Sequence, residues 1–234
     1  MRKAIGMDRC LTFINCQLRP LDASAQRQAK EPKLAITISR QTGSGALVVA
    51  EQLADYLQAR APKESCPWTV FDRNLVEKVL EDHHLPAKLA QFMPEDRRSA
   101  IEDMMEELLG LHPPSWTLVH QVTETILKLA DLGNVILVGR GANVITARLP
   151  HVFHVRLVGS LEKRIDRVQA AMHLGPEEAK DYIAEQELGR ERYLRKHFRA
   201  DINDPLGYHL VINTDRIPLE AAAQLIGDAA LQLR

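Results

Sequence analysis

The sequence predicts an α/β fold, a doubly wound parallel sheet of five strands with helices on both faces, and three observations carry that expectation. Short apolar runs of strand length alternate along the chain with longer stretches of helical spacing. Asn134-Val-Ile-Leu-Val138 is an almost uninterrupted apolar run, the signature of a strand buried on both faces of a parallel sheet. The run Leu34-Ala-Ile-Thr-Ile-Ser39 ends in a Gly-containing turn that opens into a helix, with Val49, Leu53 and Leu57 on one helical face.

A chain of 234 residues, 45% hydrophobic and 26% charged, has the size of one large domain and the apolar content of the soluble globular class. The net charge of −1 argues against a general nucleic-acid surface, so anion recognition has to be local. No apolar run reaches the ~18 residues of a membrane span, and the first residues lack the apolar centre of a signal peptide, so a cytoplasmic location is expected. Cys10, Cys16 and Cys66 are too few and too scattered for a disulfide framework or a zinc site, and all three read as free thiols. No metal site is expected.

Residues 1–33 hold a short apolar patch, Cys10 to Cys16, and then a polar stretch without strong periodicity. They read as a mobile extension or peripheral hairpin outside the core, closed by Pro32. The domain proper is expected over 34–234. Its first strand and helix flank Arg40-Gln-Thr-Gly43-Ser-Gly45, a loop whose N–H groups form a concavity at a helix N-terminus, where the dipole favours an anion. Gly43 and Gly45 are the residues that let a phosphate approach the backbone, with Ser44 between them and Ala46 opening the helix.

Pro62 to Pro67 reads as a loop, and Trp68-Thr-Val-Phe71 as a short second strand leading to Asp72-Arg73. Asp72 suits an N-cap, because Leu75, Val76, Val79 and Leu80 recur on one helical face; it equally stands at the carboxyl end of a parallel strand, where open sheets place ligands. Residues 85–131 are expected to be helical, with stop signals at Gly110 and Pro113-Pro114. Within them Arg97 and Arg98 fit a solvated face better than a phosphate site, and Met104-Met105 fit the core.

The third strand ends in Gly139-Arg140-Gly141, which puts a permanent cation at the sheet's ligand-binding edge; a phosphate contact and a structural ion pair are the two readings. Val152-Phe-His-Val-Arg-Leu157 is the fourth strand, followed by a helix that Ser160 caps and that carries Arg164 and Arg167. Pro176 starts a long helix with Glu187, Arg190, Arg192, Arg195 and Lys196, in which Glu187 and Arg190 share a face. Tyr208-His-Leu-Val-Ile212 is the fifth strand, and Leu219 to Leu233 an amphipathic closing helix.

The Walker A pattern G-x-x-x-x-G-K-[ST] fits the loop only at Gly45. Arg40 replaces the first glycine, Ala46 the lysine, and Leu47 the hydroxyl residue that would hold magnesium. A dinucleotide reading of Gly43-x-Gly45 fares worse, because Val48 replaces the third glycine and no catalytic Tyr-Lys pair is evident.

In this order, Ile-Thr-Ile-Ser-Arg-Gln-Thr-Gly-Ser-Gly, Phe-Asp-Arg-Asn-Leu-Val, Val-Gly-Arg-Gly-Ala-Asn, Val-Arg-Leu-Val-Gly-Ser-Leu-Glu-Lys-Arg-Ile and Tyr-His-Leu-Val-Ile-Asn-Thr resemble the cytidylate kinase-like family of P-loop nucleotide kinases. The resemblance spans Leu34 to Arg234 and implies a P-loop nucleoside monophosphate kinase-like fold. That fold brings a helical acceptor insertion at about 85–131 and an arginine-bearing lid at about 170–200. It places Gly43, Ser44, Gly45 and Ala46 on the donor phosphates, Arg140 on the acceptor phosphate with Asp72 and Arg73 nearby, and Arg190 and Arg192 among lid arginines facing the phosphoryl group. The cofactors it implies are ATP and Mg²⁺, the partners nucleotide substrates.

Divergent members of such families often replace the lysine with glycine and carry an arginine one position later, where this chain has Ala46 and Leu47. Arg40, at the loop's entrance, is the candidate to supply the missing charge; the alternative is that it pairs with a carboxylate. The expected function is ATP-dependent phosphoryl transfer to a nucleoside monophosphate, CMP or dCMP-like, and the alternative is a catalytically weak nucleotide-binding sensor or partner module.

Overall fold

The computed structural model describes residues 9, 12–17, 33–62, 65–72, 101, 104, 105, 108 and 117–233. Five parallel strands form one sheet in the order β2-β3-β1-β4-β5. They are β1 (Ala35–Arg40), β2 (Thr69–Phe71), β3 (Val135–Val138), β4 (Val152–Val158) and β5 (Leu210–Asn213). Between and after them run α1 (Ala46–Gln58), α2 (Thr117–Leu132), α3 (Ala142–Ile145), α4 (Leu161–Met172), α5 (Pro176–Phe198) and α6 (Leu219–Ala230). β1 lies between β3 and β4, with Ile36 level with both Ile136 and Phe153, so the loop after β1 emerges at the middle of the sheet. No helix among the described residues is long and apolar enough to cross a membrane.

Alternation along the strands separates two cores. Ile36, Ile38, Ile136, Val138, Val155 and Leu157 face α1 and α6. Ala35, Val135, Leu137 and Val152 face α2 and α3. On this second face the residues nearer the carboxyl edge turn polar: Thr37 and Ser39 on β1, His154 and Arg156 on β4, all buried. The His154 ring bonds Thr37 Oγ1 through Nδ1 at 2.8 Å, while the His154 backbone N–H donates to His209 Nδ1 at 2.9 Å. Arg156 donates to Ser39 Oγ at 3.0 Å and to Asn203 Oδ1 at 2.8 Å.

The helix signals are used as expected. Ser160 Oγ accepts the N–H of Lys163 at 3.4 Å, and Pro176 opens α5 with Glu178 Oε2 accepting the N–H of Gly175 at 2.8 Å. Met104 and Met105 pack on the second core. The fifth strand begins later than expected. Tyr208 lies before β5, its hydroxyl donating to Ile202 O at 2.8 Å and standing 3.2 Å from Ser39 Oγ. Of the helical stretch expected at 85–131, α2 is described through residue 131; Arg97, Arg98, Gly110 and the two prolines lie outside the described residues, as does the helix expected after Asp72.

Two expectations for the N-terminal region do not hold at its described residues. Residues 12–17 are helical and belong to the core: Phe13 and Ile14 are buried, and Phe13 meets Phe71 edge-on at 5.8 Å between ring centres. Arg9 adds ion pairs to Glu51 at 3.5 Å and Asp55 at 2.8 Å on α1. Nor are all three cysteines free thiols. Cys16 and Cys66 form a disulfide, with Cα atoms 5.6 Å apart, across a sequence separation of 50. Spacing gives no hint of such a pair, since folding alone brings its members together. Cys10 and residues 18–32 lie outside the described residues.

Two tests follow from these contacts. A bond closing 50 residues removes about 4 kcal/mol of unfolded-state entropy on the chain-entropy model, so reduction, or Cys66→Ser, should lower the unfolding free energy by up to that amount. A denaturation midpoint unmoved by dithiothreitol would mean that the pair is not bonded in solution. Burial, reinforced by His209, lowers the His154 pKa to about 4 from its ordinary 6.5. The unfolded chain therefore takes up this proton first, and stability present above pH 6.5 is lost toward pH 4, on the order of 3 kcal/mol in all. His154→Asn should flatten the slope of urea stability between pH 6.5 and 5; an unchanged slope would assign the loss to other groups.

Candidate functional site

The carboxyl ends of β1 and β3 turn side by side with unusual backbone. After β1, Gly43 (φ 81°) and Gly45 (φ 82°) are left-handed, and Gly45 is the N-cap of α1 without a side-chain cap. After β3, three consecutive residues are left-handed: Gly139 (φ 87°), Arg140 (φ 56°) and Gly141 (φ 71°). Arginine in that region carries a strain of order 1 kcal/mol or more, which the flanking glycines and the start of α3 hold in place. The result is that Arg40 and Arg140 lie on adjacent turns. A Cβ on Gly139 would stand 1.8 Å from an Nη of Arg40, so the bare glycine is the surface on which that guanidinium rests.

The loop between β1 and α1 is gripped from outside. Ser44 is fully buried, its Oγ donating to Gln41 O at 2.8 Å and its N–H to the same oxygen at 3.2 Å. Gln41 Oε1 accepts the N–H of Gly159 at 3.0 Å. From α4, Arg164 donates to Thr42 O at 3.3 Å and to Gly159 O at 3.0 Å, and Arg167 donates to Gly43 O at 3.3 Å. Since N–H and C=O of a trans peptide point oppositely, capturing Thr42 O turns the N–H of Gly43 away from α4. Ala46 and Leu47 are the first residues of α1, and their N–H groups have no acceptor within the helix.

α5 closes the other side. Its residues, with the two turns, line a cavity of about 490 Å³ whose described lining includes Arg40, Arg140, Arg190 and Arg192 together with Glu185. Arg190 also donates to Thr42 Oγ1. Burial lowers its pKa, with the Glu187 carboxylate opposing and the Arg156 and Arg164 cations adding to the shift; a guanidinium stays charged under such a shift. Burial likewise raises the Tyr193 pKa, against the influence of Arg140. Cations of this kind suit a polyanion, and Arg190 links the cavity to the adjoining loop through Thr42.

Of the residues singled out in the sequence, Arg40, Arg140, Arg190 and Arg192 are brought together, beside the loop formed by Gly43, Ser44, Gly45 and Ala46. Ser44 presents no side chain to a ligand, because its hydroxyl is committed to Gln41. Leu47 is 52% exposed at the head of α1. Asp72 stands at the end of β2, off the cavity lining, and Arg73 lies outside the described residues. Sequence reasoning missed Arg164, Arg167 and Arg156 as parts of the site. The available signal was Arg164 itself, four residues before the buried Val168 on the inward stripe of α4, where a cation must have a partner.

The two glycine turns differ in what a side chain would strike. A Cβ on Gly43 would lie 2.5 Å from the backbone oxygen of Arg164, whereas the one on Gly139 meets only the end of a flexible side chain. Gly43→Ala should therefore cost well over ~1 kcal/mol of stability and Gly139→Ala about that, the strain of positive φ alone. Equal losses by chemical denaturation would show that the α4 contact on the loop does not constrain it.

The model of the cytidylate kinase-like family matches residues 35–216. A cytidylate kinase from Pyrococcus horikoshii is 25% identical over 185 residues, 79% of this chain and 81% of that protein. Among solved structures, an uncharacterized protein from Eubacterium ventriosum superposes with a TM-score of 0.57 at 16% identity, over 86% of this chain and 99% of that one, a likeness of fold alone.

Proposed function

The chain belongs to the cytidylate kinase-like family, and from that premise we propose that it transfers a phosphoryl group from ATP to a nucleoside monophosphate, CMP or dCMP. The observation that carries the reading is the cavity lined by Arg40, Arg140, Arg190 and Arg192, with Arg190 bonded to Thr42 of the adjoining glycine loop. Phosphoryl transfer needs little covalent chemistry from a protein; it needs the donor and acceptor in line and the charge on the transferring group neutralised. The N–H groups of Gly43, Gly45 and Ala46 would take the donor phosphates. Arg140, from the neighbouring turn, would take the acceptor phosphate. Arg40 would stand between the two, and Arg190 and Arg192, on α5 acting as the lid, would face the group in flight.

The described loop suits the phosphates of ATP but offers no side chain to a magnesium ion. Leu47 offers no oxygen, and Ser44 Oγ is already bonded to Gln41. Mg²⁺ bound to ATP keeps phosphate and water ligands, so neutralisation on the protein's side falls to the arginines. A second reading, a nucleotide-binding sensor or partner module with little turnover, is favoured by Ala46 and Leu47 in place of the loop cation.

ATP consumption with CMP, dCMP, UMP and AMP separates these readings. Transfer to a pyrimidine monophosphate is expected; ATP binding without transfer to any acceptor leaves the sensor; no binding at millimolar ATP removes both. A charge-assisted bidentate contact is worth roughly 1.5–3 kcal/mol, so Arg140→Ala should weaken monophosphate binding by about one to two decades with ATP affinity nearly unchanged. A large fall in Tm with unaltered monophosphate affinity would instead make Arg140 a structural ion-pair partner.

A further inference from the structure

The N–H of Thr42, at the mouth of the loop, already has an anion. Glu187, on α5, places Oε1 3.2 Å from that N–H, and the same oxygen accepts from an Nη of Arg164 at 2.5 Å. Arg190, one helical turn further on, donates to the Thr42 hydroxyl. Helical spacing would pair Glu187 with Arg190 on the surface of α5. Instead both side chains reach into the loop, to the backbone and side chain of one residue.

A backbone N–H in a glycine turn, a guanidinium against it and a second guanidinium alongside make the donor set of a phosphate oxygen. Arg164 is 7% exposed at its side chain and Glu187 27%, so the pair is largely out of water. The buried cation fixes the need for an anion at this point, and does not fix which anion.

We propose that the Glu187 carboxylate is a built-in stand-in for phosphate, holding the loop in the ligand-free protein, and that a polyphosphate displaces it onto Thr42 N–H, Arg164 and Arg190. The inference rests on the anion-binding reading of the loop given above and adds the identity of the competitor. Displacement requires Glu187 to swing off the loop, since two anions cannot share one N–H. Arg164 then passes from one anion to another without ever being left unpaired. A polyphosphate, which brings several charges against one, wins this exchange; a weakly charged anion does not.

The test is titration calorimetry of the wild-type protein and Glu187→Gln with inorganic pyrophosphate. Glutamine keeps an acceptor for Thr42 but loses the charge that competes with the ligand, so its affinity should rise about tenfold or more. Glu187→Asp, one methylene shorter, should shift the same way by less, and serves if the glutamine variant fails to fold. Equal or weaker binding by a folded variant would overturn the proposal and make Glu187 a residue that orients the loop for its ligand. Absence of pyrophosphate binding to every form would overturn it as well. Phosphoryl transfer is read separately on the same proteins. Tighter pyrophosphate binding without transfer keeps this inference and removes the kinase reading, whereas transfer by the wild type without tighter binding by the variant does the reverse.

Discussion

The buried guanidinium of Arg164 constrains everything around it. A cation removed from water must have its donors satisfied and its charge offset, or the fold bears a penalty of several kcal/mol. Arg164 meets that demand with three partners from three parts of the chain: the carbonyl of Thr42 in the loop, the carbonyl of Gly159 where β4 ends, and the carboxylate of Glu187 on α5. Loop, sheet edge and covering helix are thereby tied to one point. Gly43 is bare because the backbone of Arg164 lies against it, so the same residue sets both the seat of the loop and the direction of its carbonyls.

The sheet prepares this arrangement from below. Its face toward α2 and α3 is apolar near the amino ends of the strands and polar near the carboxyl ends, where Thr37 and Ser39 stand level with His154 and Arg156. Water-seeking groups placed there bond one another and the segment carrying Asn203 and Tyr208, which closes over them. Ser39, which lines the cavity, is thereby held by Arg156 and Tyr208.

Much of this was legible in the chain. The strands declared themselves by continuous apolar runs, the helices by a cap at Ser160 and an opening proline at Pro176, and Arg140 by its position between two glycines at the end of the most apolar strand. These are local signals, each contained in a few consecutive residues. What stayed hidden depends on pairs distant in sequence. Phe13 lies in a patch too short to show a period, yet meets Phe71; Cys16 finds Cys66 only once β2 is in place; Glu187 looks like the partner of Arg190 and in fact serves Arg164 and Thr42. The disulfide also pulls against the cytoplasmic location expected from the N-terminal sequence, because such bonds persist mainly in oxidising compartments.

The absence of lysine from the loop changes how the site is assembled. A lysine in the first turn of α1 would be carried by the same backbone that presents the N–H groups, so charge and cradle would form together. Here position 46 is alanine, and the cations arrive from elsewhere: Arg40 from the end of β1, Arg140 from the β3 turn, Arg164 from α4, Arg190 and Arg192 from α5. Two of these cations, Arg190 and Arg192, are carried by α5, and its contacts to the loop run through Glu187 and Arg190 on Thr42. A loop with its own lysine carries its charge on the same element that presents the N–H groups. In this chain the charge beside the loop comes from side chains on several elements, so it depends on the tertiary packing that holds those elements together.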